Sequence, residues 1–198
     1  MMLWKMTIYS SLIMYKIKVT SISFSKNHYL VSELKNFFPE TIINSKYLRY
    51  EGDDLIKFLS DADGAIIGVE SINDYVLKGL PNLKFISKYG VGLNNINIDS
   101  CKRRNVKIGW VGGVNKYSVA EQTIGFMIML ARNLYINSNA LKYNYNWVKN
   151  GGFQIRNKKI GIIGLGFIGK EVVKLLKPFN CEIFANDIKD LTKYAKEN

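Results

Sequence analysis

The chain has 198 residues, 47% of them hydrophobic, a formal net charge of +12 at pH 7 and two cysteines. That length holds one large domain or two small ones, and the apolar content can fill a real core. The basic balance raises nucleic acid as a partner, but the lysines are scattered, and the densest cluster, Lys102-Arg103-Arg104, reads as a solvated helix face, so no nucleic-acid partner is expected.

Residues 1–13 are apolar but short and interrupted by Lys5. They are too short for a membrane span and no small-residue cleavage site follows them, so they read as a loosely ordered extension. Without secretory features, Cys101 and Cys181 are expected as free thiols in a reducing cytoplasm.

From residue 14 on, strand and helix patterns alternate. Ile17, Val19 and Ile22 predict a strand. Residues 29–38 predict a helix with Leu30, Leu34 and Phe37 or Phe38 inward, stopped by Pro39. A short strand over 41–43, a helix over 53–59 (Leu55, Ile56 and Leu59 inward) and an apolar strand over 64–69 follow. Ser71-Ile72-Asn73-Asp74 reads as a capping box opening a helix through Leu80. Strands over 83–87 and 106–110 flank a short helix over 99–105. This βα alternation predicts a parallel, helix-flanked sheet.

Ser118-Val119-Ala120-Glu121 reads as a second capping box. Residues 124–131 behind it are apolar on every side, which predicts burial between two domains or two subunits. Residues 143–152 are polar and loop-like, with Trp147 as the expected anchor.

The segment 159–187 carries the most specific pattern. Ile160, Ile162 and Ile163 form a β-branched run suited to a strand buried on both faces. It runs into Gly164-Leu165-Gly166-Phe167-Ile168-Gly169, a GxGxxG sequence, then a helix with Ile168, Val172, Leu175 and Leu176 on one face, ended by Pro178. A second strand over 182–185 closes on Asp187, 18 residues after Gly169. In such a unit Gly164 permits the tight turn, Gly166 lets backbone amides approach a pyrophosphate, and Gly169 lets helix and strand pack closely. The helix start favours the phosphates. Asp187 accepts the ribose hydroxyls of an adenosine and repels the 2′-phosphate of NADP, so NAD is the expected cofactor. Glycine clusters also serve as ordinary turns; the ordered strand, fingerprint, helix, strand and acid favour dinucleotide binding. No metal site is expected.

Three blocks now resemble one family: Leu83 to Asp99 (LKFISKYGVGLNNINID), Gly113 to Asn133 (GVNKYSVAEQTIGFMIMLARN), and the fingerprint through Asp187. The chain resembles the NAD-dependent D-2-hydroxyacid dehydrogenases, in particular members similar to D-3-phosphoglycerate dehydrogenase. The resemblance implies an α/β architecture: a flavodoxin-like parallel-sheet substrate domain over 14–115, then, over 116–198, a long interdomain helix and an incomplete Rossmann unit, the first half of an NAD-binding domain. It implies that the backbone amides of Gly90, Val91 and Gly92 hold a substrate carboxylate, and that Asn115 contacts substrate or cofactor. Phe167 and Ile168 take pyrophosphate-facing positions, where Arg-Ile is common in the family. Taken alone, Val91 and Asn115 read as ordinary turn residues. Departures include Asn94 and Asn97 where the family usually has acids, Val111-Gly112-Gly113 where it often has Thr-Pro-Gly, and Gln122 where it has His.

The implied activity is hydride transfer between NAD and C2 of a small 2-hydroxy or 2-oxo acid, in a homodimer when complete. The family's chemistry uses an arginine, and a histidine paired to a glutamate, all from beyond the second Rossmann strand. The last arginine here is Arg156, before the fingerprint, and the only histidine is His28, which reads as a surface residue. No catalytic residue is therefore assigned within the chain; the expectation is a fragment, inactive alone, with the Arg, Glu and His downstream of Asn198. The alternatives are a non-enzymatic remnant that binds NAD or dimerises through residues 124–134, and a basic nucleic-acid-binding protein.

Overall fold

The computed structural model describes residues 15–147 and 150–197. The expected extension over 1–13, the strand start at Met14 and part of the expected loop over 143–152 lie outside the described residues. Two compact units divide between Gly112 and Gly113. Among the described residues, no helix is long and apolar enough to cross a membrane.

The first unit is a parallel sheet of β1 (Ile17–Val19), β2 (Ile42–Ile43), β3 (Gly64–Ile67), β4 (Phe85–Lys88) and β5 (Lys107–Gly109), in the order β2-β1-β3-β4-β5. That order is flavodoxin-like, with the chain reversing direction across the sheet beside β1 and β3. The helices are α1 (Ile22–Ser25), α2 (His28–Phe37), α3 (Gly52–Leu59), α4 (Asp74–Lys78) and α5 (Ile98–Arg103). Helical spacing puts Leu55 and Leu59 on one face of α3, and both are fully buried with Ile67, Ile72, Val76, Leu77 and Ile86 in one core.

Several boundaries differ from expectation, each for a local reason. Ile22 opens α1 rather than extending β1, because the Ser21 hydroxyl accepts from the Phe24 amide at 3.3 Å. The cap of α4 is Asn73, which accepts from the Val76 amide at 3.0 Å, so the cap lies two residues after the expected Ser71. Ile72 instead pairs in a parallel bridge with Ile96 and is buried. In α2 no residue is fully buried and Phe37 is exposed. Arg103 and Arg104 both reach Asp74, at 3.3 and 3.5 Å, on the surface. His28 is exposed at the start of α2.

The second unit holds α6 (Lys116–Ala131), α7 (Leu134–Asn144), β6 (Lys159–Ile163), α8 (Phe167–Leu176), a 3₁₀ turn (Lys177–Phe179), β7 (Glu182–Asn186) and α9 (Thr192–Glu197). β6 and β7 pair in parallel, Ile160 opposite Ile183 and Ile162 opposite Ala185, and α8 makes the crossover between them. Ala120, Ala131, Ile155, Val172 and Leu176 form its core, with Ile124, Met127, Ile128, Ile160, Ile162 and Ile183 against them. The buried Glu171 carboxylate meets Lys174 at 3.0 Å and Lys116 at 3.2 Å. Those partners hold its carboxyl below the usual carboxylate range.

Here too the structure corrects the sequence reading. α6 begins at Lys116, so Ser118 and Glu121 lie within the helix and form no capping box. Within this single chain its apolar circumference is not buried all round, with Phe126 and Leu130 exposed, the latter 70%, and the expected burial between two subunits is not tested by one chain. α7 was not expected from its polar sequence; Asn133, left-handed at φ 52°, separates it from α6. Trp147 is 82% exposed and is not an anchor among the described residues. β6 is not buried on both faces: Ile160 and Ile162 pack against the helical core on one face, while Ile163 on the other is 94% exposed. The inward face of α8 is Gly169, Val172, Val173 and Leu176, while Ile168 and Leu175 lie partly open. Gly169 sets that phase: a Cβ there would lie 2.1 Å from the Gly164 carbonyl oxygen.

Candidate functional site

In the second unit, the site is the turn from β6 into α8. Gly164 has φ +93°, a left-handed conformation that L side chains rarely adopt, and its amide donates to the Asn186 carbonyl at 2.8 Å. This bond ties the turn to the end of β7. Gly166 is the N-cap residue of α8 and has open space where a Cβ would be. With no side chain at the cap, the first-turn amides of Phe167 and Ile168 have no acceptor among the described residues. Unsatisfied donors at a helix start are a ready anion site.

Asp187 closes the other side. One carboxylate oxygen accepts from the Leu165 amide at 2.6 Å and the other from the Lys189 amide at 2.9 Å. The Lys189 and Leu165 amides hold its carboxyl below the usual carboxylate range, so it is ionised at neutral pH. Each oxygen keeps a further lone pair for a hydroxyl donor. The glycine turn and the acid line one open cavity of about 620 Å³ with Phe167, Lys170, Ile188 and Leu191, within the usual size of a cofactor pocket. The residues present therefore fit an adenine dinucleotide: amides without acceptors for the phosphates, a negative acid for the sugar, and a Gly166 backbone that can be approached closely.

Two residues of this site were missed from sequence. Gly113 packs under Phe167, where a Cβ would come 2.6 Å from the ring, and its φ of +72° also requires glycine. Its only sequence signal was the unusual Gly112-Gly113 pair. Lys170 brings a cation to the cavity, one turn into α8; its signal was its place just after Gly169.

In the first unit, Gly90, Val91 and Gly92 follow β4 at the carboxyl end of the sheet, the end at which open parallel sheets bind ligands. Gly90 has φ +142°. None of the three amides has an acceptor among the described residues. The loop base is braced by groups that sequence reasoning overlooked. The Lys88 ammonium donates to the Gly68 carbonyl and, at 2.8 Å, to the Asn95 side chain. Asn95 in turn donates to the Glu70 carbonyl at 2.6 Å, and the buried Glu70 carboxylate accepts from the Gly68 amide at 2.6 Å. Burial pushes the Lys88 ammonium pKa down, against the opposing pull of Glu70. A lysine ending an apolar strand was the available signal. Asn115 belongs to the second unit, at the N-cap of α6, half-buried and making no side-chain cap bond.

Comparison with known proteins places the chain in a family. Residues 20–197 match the model of the D-isomer specific 2-hydroxyacid dehydrogenase catalytic domain. The chain is 31% identical over 151 residues to a hydroxypyruvate reductase of Thermotoga maritima, covering 75% of this chain and 48% of that protein. It is 32% identical over 139 residues to a D-3-phosphoglycerate dehydrogenase of Methanocaldococcus jannaschii, covering 68% of this chain and 26% of that one. Among solved structures, the NAD+-bound 3-phosphoglycerate dehydrogenase of Entamoeba histolytica superimposes with a TM-score of 0.68 at 25% identity, over 88% of this chain and 54% of that chain. The chain thus spans about half or less of the length of these relatives. The match over residues 20–197 shows the family: the chain belongs to the D-isomer specific 2-hydroxyacid dehydrogenases.

Proposed function

We propose that this chain carries the adenosine–pyrophosphate half-site and the substrate-carboxylate loop of an NAD-dependent 2-hydroxyacid dehydrogenase. The single observation that carries the reading is the shared cavity of Gly164, Leu165, Gly166, Phe167 and Asp187, with donors on one wall and an ionised acid on the other. Residues 14–115 serve as the substrate domain and residues 116–198 as the interdomain helix and the start of the NAD-binding domain. Gly164, Gly166, Phe167, Ile168 and Gly169 place backbone amides toward the pyrophosphate, and Asp187 takes the ribose hydroxyls. Gly90, Val91 and Gly92 donate to the carboxylate of a small 2-hydroxy or 2-oxo acid, and Asn115 contacts substrate or cofactor. Amides suit a carboxylate because they donate without adding a titratable charge.

The chemistry that NAD supplies when bound is the uptake or release of a hydride. The proton that must move with it needs a general acid/base, a contribution of roughly 10²–10⁴-fold. The histidine that the family resemblance implies for that role is not placed at the site among the described residues: His28, the only histidine, is exposed at the start of α2. The chain alone accordingly binds without turning over. The exposed Phe126 and Leu130 of α6, with Leu134 and Ile136 of α7, favour association with a second copy through this face.

The test is calorimetric titration with NAD of the wild-type chain and of Asp187→Ala. Losing a charge-assisted hydrogen bond should weaken binding roughly ten- to a hundredfold. Unchanged affinity overturns the assignment of Asp187, and oxidation of any 2-hydroxy acid by the purified chain overturns the inactivity.

A further inference from the structure

One contact at the Gly90–Gly92 loop is unaccounted for by carboxylate binding. Trp110, just past β5, donates its indole N–H to the Val91 carbonyl at 2.9 Å. Its ring is partly exposed, so water could satisfy that N–H equally well. Every peptide bond described here is trans, the Val91–Gly92 bond included. In a planar trans peptide the carbonyl and the following N–H point in opposite directions. Holding the Val91 oxygen toward Trp110 therefore aims the Gly92 N–H the other way, and that N–H has no acceptor among the described residues.

The rest of the loop is already fixed at its base. The Lys88 ammonium is tied to Gly68 and Asn95, and the Lys88 Cε lies 3.4 Å from where a Gly90 Cβ would be. The Tyr89 amide donates to the Ile67 carbonyl at 2.8 Å. What these bonds leave free is rotation of the Val91–Gly92 peptide plane, since glycine on either side of Val91 restrains it least. Trp110 supplies the missing restraint.

We propose that Trp110 is a positioning residue for the substrate carboxylate, acting through the Val91–Gly92 peptide to present the Gly92 N–H. The inference deepens the reading of the loop given above and rests on it. The indole touches no substrate atom in this scheme; it removes one rotational freedom that carboxylate binding otherwise has to freeze. The ligand class is a short 2-oxo carboxylate.

The experiment is a ¹H–¹⁵N NMR titration of the full chain with pyruvate, with uncharged methyl pyruvate as control, on wild type, Trp110→Phe and Trp110→His. Phe keeps an aromatic ring without the donor, and His restores an N–H. In the wild type, the Gly90, Val91 and Gly92 amides are expected to shift with pyruvate and not with methyl pyruvate. Trp110→Phe is expected to weaken pyruvate roughly 3- to 10-fold, the worth of one ordinary hydrogen bond, with NAD affinity unchanged. Trp110→His is expected to recover part of that loss. Independently of either variant, the wild-type Trp110 indole proton should exchange with solvent more slowly than a free indole. Equal pyruvate affinity in wild type and Trp110→Phe, or a freely exchanging indole proton, overturns the positioning role and leaves the carboxylate loop standing. Loop amides that fail to shift in the wild type overturn the carboxylate reading itself, and the role of Trp110 with it.

Discussion

Ile67 ends β3 and Ile163 ends β6, each at the close of a short β-branched run, yet Ile67 is fully buried and Ile163 is 94% exposed. The difference lies in their neighbours. β3 sits between β1 and β4 in a five-stranded sheet with helices packed against it, whereas β6 pairs only with β7 among the described residues. An apolar strand pattern thus reports the capacity to be buried, and the surrounding elements decide how much is realised. The first unit realises its pattern in β1, β3 and β4, although Ile42 of the edge strand β2 stays 48% exposed; the second keeps Ile163, Phe184 and Ile188 in the open.

The sharpest way to break this comparison is a pair of truncations. Leu59→Ala removes a fully buried side chain of the first core and should cost about 2–5 kcal/mol. Ile163→Ala should stay within about 0.5 kcal/mol, as for a surface change. Urea unfolding of both variants measures the difference, and equal costs would refute it.

Next in size is a contrast within the glycine turn. Gly169→Ala places a Cβ 2.1 Å from the Gly164 carbonyl oxygen and should destabilise the second unit by about 1–3 kcal/mol. Gly166→Ala meets open space, so its stability should change by less than about 0.5 kcal/mol, while NAD binding weakens because the backbone is screened. Denaturation and NAD titration of the two variants separate packing from binding.

The smallest effect is a pH dependence in the first unit. The Lys84 ammonium, 2.7 Å from Asp63, and the Lys16 amide hold the Asp63 carboxyl below its ordinary range. The unfolded chain then takes up the proton first, so this contribution is complete above the unfolded pKa of about 3.9 and is lost as pH falls through the folded value. Asp63→Asn should flatten the acid limb of a stability–pH curve; an unchanged limb would assign the loss to other carboxylates.

Much of this was legible in the sequence because it depends on local spacing. The βα alternation gave the parallel sheet, and Gly164, Gly166 and Asp187 line one cavity while Gly169 packs against the Gly164 carbonyl. What was not legible depends on competition or on distant partners. Asn73 outcompeted Ser71 as the cap of α4, and Asn115 precedes a helix that swallows the Ser118 box. The bracing of the Gly90–Gly92 loop by Lys88, Asn95 and Trp110 joins residues from β4, its following loop and the end of β5. No periodicity marks such a set. Exposure of Trp147 was misjudged for the same reason: apolar character does not name what covers it.

The most direct measurement of the central claim compares NAD with NADP by calorimetry on the wild-type chain. An ionised Asp187 beside the glycine turn predicts NAD binding at least ~10-fold tighter, because a 2′-phosphate would face a like charge. Equal affinities, or a preference for NADP, would contradict the placement of the adenosine ribose at Asp187.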